Sequence, residues 1–133
     1  MTDPADPGTN RAFAAAARHG LPVNFLCWGR IDLGTEFIRR NPDTVIVVDH
    51  LGLLQPDKPP VPADVWADLP TLLALAALPN VRIKVSGSCT QSHPPVPDNT
   101  RWDPVVKIID STGLVGCRWG TQFQRTIQML PYD

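Results

Sequence analysis

The sequence lacks the signals of several common functions. It has no surplus of positive charge: 12 Lys and Arg stand against 13 Asp and Glu, a formal net charge of -1. There is thus no electrostatic footprint for nucleic acid or an anionic membrane, and a small-molecule ligand is the easier partner. Its three cysteines, Cys27, Cys89 and Cys117, show no C-x-x-C spacing. That argues against a disulfide framework and a structural zinc knuckle, and fits a reducing compartment. No apolar run approaches the ~20 residues of a membrane span. The opening Met1-Thr2-Asp3-Pro4 lacks the basic and apolar regions of a signal peptide, so a cytoplasmic chain is expected. G-x-G-x-x-G, G-K-[ST] and G-x-S-x-G are all missing, which leaves dinucleotide, P-loop and serine-elbow chemistry without support.

What is present is a globular composition, 43% hydrophobic and 19% charged. The 15 prolines are about twice the background share and predict stiff connections. A chain of 133 residues can build one domain but falls short of the roughly 250 that an eight-stranded α/β barrel needs. Length therefore permits one domain or about half a barrel, and residues 1–133 are read as a single unit.

Along the chain, strand and helix signals alternate. Thr9 or Asn10 can cap a helix over residues 11–18, ended by His19-Gly20. Residues 23–28 read as a strand, and Ile31 to Arg40 as a helix with Leu33, Phe37 and Ile38 on one side, stopped by Asn41-Pro42. Thr44 to His50 is a β-branched run that suits a strand buried on both faces of a parallel sheet, broken by Leu51-Gly52. A proline-rich loop then leads to a helix over 63–78, and Pro79-Asn80 hands over to a strand from Val81 to Ser86. After a long loop come a helix over 103–111 and a short strand over 114–119. About four parallel strands alternating with helices require right-handed crossovers, hence an α/β fold that is either doubly wound or a slice of a barrel.

In parallel α/β folds the ligand site lies beyond the carboxyl ends of the strands. The residues there are Cys27-Trp28, Asp49-His50, Ser86-Ser88-Cys89 and Gly120-Thr121-Gln122. His50 stands out, because a neutral imidazole binds a divalent metal or moves a proton near neutral pH. Against this, the three histidines form no H-x-H or H-E-x-x-H pair, and a lone histidine is more often hydrogen-bonded in a core. Asp49, its neighbour in an extended strand, is expected on the opposite face as a brace. Buried cysteine is usually a small apolar filler. His93, in a Ser-His-Pro-Pro loop, is equally a substrate contact or an ordinary solvated residue.

Three segments, taken in order, are recognisable. They are Val48-Asp49-His50-Leu51-Gly52, Leu78-Pro79-Asn80-Val81-Arg82-Ile83-Lys84-Val85-Ser86-Gly87, and Arg118-Trp119-Gly120-Thr121-Gln122-Phe123. Together they resemble the amidohydrolase-related (amidohydrolase 2) family of metal-dependent hydrolases, which fold as TIM (β/α)8 barrels. The resemblance implies a partial barrel made of the last four or so strands. It implies hydrolysis of C–N or C–O bonds, or decarboxylation in some relatives, with a divalent metal such as zinc or manganese. His50 takes the place of the family's sixth-strand histidine, a metal ligand or substrate contact, and Trp28 lies near that of the fifth-strand histidine. Gln122 stands where the family has its last-strand aspartate. A neutral amide offers only a carbonyl oxygen and cannot act as a base near pH 7, so metal binding and catalysis are expected to be impaired. The family's first-strand H-x-H pair is absent from these 133 residues. The alternative expectation is a non-catalytic half-barrel that associates with itself or a partner chain, because open sheet edges invite pairing.

Overall fold

The computed structural model describes residues 3–27, 29–54, 64–87 and 102–121. Helices and strands alternate: α1 (Pro7–Arg18), β1 (Val23–Phe25), α2 (Ile31–Arg40), β2 (Ile46–Val48), α3 (Leu69–Ala76), β3 (Val81–Val85), α4 (Trp102–Gly116) and β4 (Cys117–Trp119). A tight turn, Asp49–Gly52, follows β2. The strands form one four-stranded sheet in the order β1-β2-β3-β4, and every neighbouring pair is parallel. Sequential order with helical crossovers is the arrangement of a barrel slice, and excludes the strand-order reversal of a doubly wound sheet.

The core lies between the sheet and its helices. Ile46 and Val48 of β2 and Val81 and Ile83 of β3 pack with Ile38, Leu72, Leu75 and Ile108 from α2, α3 and α4. The other face of the sheet is mixed. Asn24, Val47 and Arg82 lie side by side in register, and Lys84 lies beside Arg118. Val47 between Ile46 and Val48 is itself buried, so β2 is covered on both faces as its unbroken β-branched run predicts. None of the described helices is long and apolar enough to cross a membrane.

Several boundaries differ from the sequence expectation, each for a local reason. α1 begins earlier, because Asp6 rather than Thr9 or Asn10 is the cap. Its Oδ1 accepts the Thr9 N–H at 2.6 Å while Pro7 occupies the first turn, where a missing N–H costs nothing. Asn10 instead donates through Nδ2 to the carbonyl oxygens of Pro4 and Asp6. The helix end is as expected: Gly20 adopts φ 63°, and Leu21 N–H returns to the Ala16 carbonyl. α3 is shorter at both ends than residues 63–78. α4 runs on to Gly116 with a break at Gly113 (φ 65°), so Leu114 and Val115 stay exposed and β4 starts only at Cys117, opposite Ile83.

The amino ends of the strands are tied by side-chain amides. Asn80 donates through Nδ2 to the carbonyls of Asn41 (3.2 Å) and Thr44 (3.1 Å), and Asn41 donates to Asn10 Oδ1 and the Phe37 carbonyl, both at 2.9 Å. This network satisfies the buried backbone where α2 and α3 hand over to strands, at the end of the sheet away from the candidate site.

Candidate functional site

Beyond the carboxyl ends of the strands the described chain places Cys27, Asp49-His50, Ser86-Gly87 and Gly120-Thr121. The backbone after β2 is unusual. His50 (φ 54°), Leu51 (φ 60°) and Gly52 (φ 65°) are consecutively left-handed, and the first two are not glycine. Each non-glycine residue in that region costs of order 1–3 kcal/mol and persists only where its surroundings over-determine it. Here Leu51 is fully buried, Gly29 N–H bonds the Gly52 carbonyl at 3.2 Å, and Leu53 N–H closes the turn onto the His50 carbonyl.

This turn changes the disposition expected for Asp49 and His50. Opposite faces follow only if the strand stays extended through both residues, and the left-handed turn begins at His50. Both side chains therefore reach β3 or the residue just after it. Asp49 Oδ1 meets Lys84 Nζ at 3.0 Å, and His50 Nδ1 lies 2.8 Å from Ser86 Oγ. Asp49 Oδ1 is buried and meets the ammonium as an ion pair without the alignment of a hydrogen bond. Lys84 fits because the residue just after β4 is glycine: a Cβ on Gly120 would sit 2.9 Å from Lys84 Cε. Asp49 thus braces the sheet, as expected, but from beside His50.

Cys27 is buried, and its thiol is pushed up to about 12 by burial first, then by the negative charges of Asp49 and Asp32. It stays protonated at neutral pH, which suits a small filler rather than a nucleophile. Trp28, His93 and Gln122 lie outside the described residues, as do Ser88 and Cys89. The sequence expectation places Ser86 at a strand end without a role and gives none to Lys84. The signal that would have found both is their spacing: two residues apart on one strand, they share the face that Asp49 and His50 turn toward.

The donors present do not make up a metal site. Among the described residues no three His, Cys, Asp or Glu side chains converge. Asp49 is engaged by Lys84. His50 is a single imidazole against the three protein ligands usual for catalytic zinc.

A four-stranded parallel sheet walled by helices on one face, with a histidine on a strained turn at the strand ends, defines a partial TIM-type α/β barrel. The chain belongs to the amidohydrolase family, whose profile matches residues 2–123. Among solved structures it is similar to amidohydrolase 2 from Bifidobacterium longum subsp. infantis (25% identity, TM-score 0.66), with 93% of this chain and 44% of that one covered. An amidohydrolase from Burkholderia multivorans with bound zinc superposes over 100% of this chain and 50% of its own (21% identity, TM-score 0.78). A form with bound HEPES gives 19% identity, a TM-score of 0.74, and coverage of 99% and 56%. The chain thus spans about half the length of these relatives. No curated protein matches it.

Proposed function

We propose that residues 1–133 supply the carboxyl-terminal half of an amidohydrolase barrel and carry part of a site for hydrolysis of C–N or C–O bonds, with His50 as its reacting-end imidazole. The observation that carries this reading is the placement of His50. It follows the central β2 on a strained turn, at the strand ends where barrel enzymes keep their chemistry. A neutral imidazole there can hydrogen-bond a substrate carbonyl or transfer a proton near pH 7. The zinc in the Burkholderia relative supports the metal-dependent form of the reading. Because the described donors fall short of a metal site, further ligands have to come from outside these residues, and activity is expected to be low.

The test is hydrolysis of a panel of chromogenic esters and amides, with and without zinc or manganese, by the native chain and by His50→Ala. Slow turnover that drops about 100-fold in the variant is expected, the low end for losing a positioned acid or base. Equal rates in both proteins, metal or no metal, would remove His50 from the chemistry. Calorimetric titration with zinc separates the two forms of the reading. Uptake lost with His50 makes it a ligand, whereas no uptake leaves it a substrate contact.

A second reading, association of half-barrels, draws on the sheet edges. Among the described residues β1 and β4 each pair on one side only, and Trp119 on β4 is 78% exposed. Light scattering over a wide concentration range is expected to show a dimer. A monomer throughout would rule it out.

A further inference from the structure

The contact between His50 and Ser86 joins residues 36 apart in sequence at 2.8 Å. Ser86 is 5% exposed, and the chain turns away directly after it through Gly87 at φ 73°. A serine that attacks substrate must present its hydroxyl to the ligand, whereas this hydroxyl is enclosed and directed at the ring. Both ends of the contact are held: His50 by its left-handed backbone over the buried Leu51, Ser86 by the last residues of β3. The neighbouring Lys84–Asp49 pair clamps the same two strand ends one step earlier.

We infer that Ser86 is a positioning residue for His50, fixing the orientation of the imidazole rather than acting on substrate. This rests on the reading of His50 as the reacting group. A neutral imidazole has one N–H shared between two nitrogens. If the Ser86 hydroxyl donates, Nδ1 must carry a lone pair and the proton sits on Nε2; if it accepts, the proton sits on Nδ1. A hydroxyl rotates to serve either form, so the contact fixes where the ring lies and leaves the tautomer to the ring's other surroundings.

The experiment labels the histidines of the full chain with 15N and reads the ring shifts of His50 about two pH units above the ordinary imidazole value. Its signals are assigned by their loss in His50→Ala. The Nδ1 shift is expected to move when Ser86→Ala removes its hydrogen bond and to return in Ser86→Thr, which keeps the hydroxyl and controls for a folding defect. Where the native chain hydrolyses a substrate, Ser86→Ala should lower kcat about tenfold with KM nearly unchanged. The same Nδ1 shift in native chain and Ser86→Ala overturns the assignment. A changed shift in a chain that hydrolyses nothing upholds the contact's effect on the ring and overturns the hydrolase reading instead.

Discussion

Replacing Phe37 by alanine is expected to lower the unfolding free energy by about 3–5 kcal/mol. The Phe37 ring, 1% exposed, stacks on Phe13 at 5.9 Å and tilts against Phe25 at 5.6 Å, while Phe13 meets Phe25 edge-on at 6.0 Å. The trio joins α1, β1 and α2, so truncating its buried member leaves a cavity at the junction of three elements. A domain of this size has roughly 5–15 kcal/mol in total, so the variant should be at or near the threshold of folding. Urea unfolding checks it through a lower midpoint with an unchanged slope. A loss below about 1 kcal/mol would mean the site collapses around the missing ring. The exposed Leu114→Ala is the control, expected within about 0.5 kcal/mol of the native chain.

Gly52→Ala is expected to cost about 2–5 kcal/mol, through two separable causes. The first is the left-handed backbone at φ 65°, which disfavours an L side chain by about 1–2 kcal/mol. The second is space: a Cβ there would stand 3.0 Å from Ile31 Cδ1 and 3.2 Å from Val48 Cγ1. Forcing a methyl into a packed core adds about 1–3 kcal/mol. Gly20, at φ 63° in the left-handed helix end after α1, has nothing within 4 Å, so Gly20→Ala should lose the backbone part alone. Thermal unfolding of both variants isolates the packing part as their difference. Equal losses would show that the core around Ile31 and Val48 gives way freely. Because Gly52 closes the turn that carries His50, its variant should also disturb the His50 ring signals, whereas the Gly20 variant should not.

Much of the framework was legible because it is locally encoded. α2 was read at its true limits, Ile31 and Arg40, since a clean apolar stripe ends at Asn41-Pro42, where the residue before proline resists the helical region. The β-branched run within residues 44–50 predicts a doubly buried strand, and its Ile46–Val48 stretch forms β2 and is buried, while Val45 ahead of it is exposed. The misses fall where local signals compete. Thr9 and Asn10 are good caps by type, yet Asp6 ahead of Pro7 is better placed. Leu114 and Val115 are strand formers by propensity, but they lie before the point where β4 meets β3.

By itself the sequence determined the alternation of parallel strands and helices, the family to which the chain belongs, and His50 as the residue of interest at a strand end. Those follow from periodicity, composition and ordered motifs, all carried by near neighbours in the chain. Only the tertiary structure decided what His50 and Asp49 touch. Parallel pairing sets Val48 beside Ile83, and that register, with the left-handed turn after β2, brings Ser86 to the imidazole and Lys84 to the carboxylate. A residue's neighbours along the chain fix its propensity, but its partners across a sheet depend on a register that comes into being when the whole sheet packs.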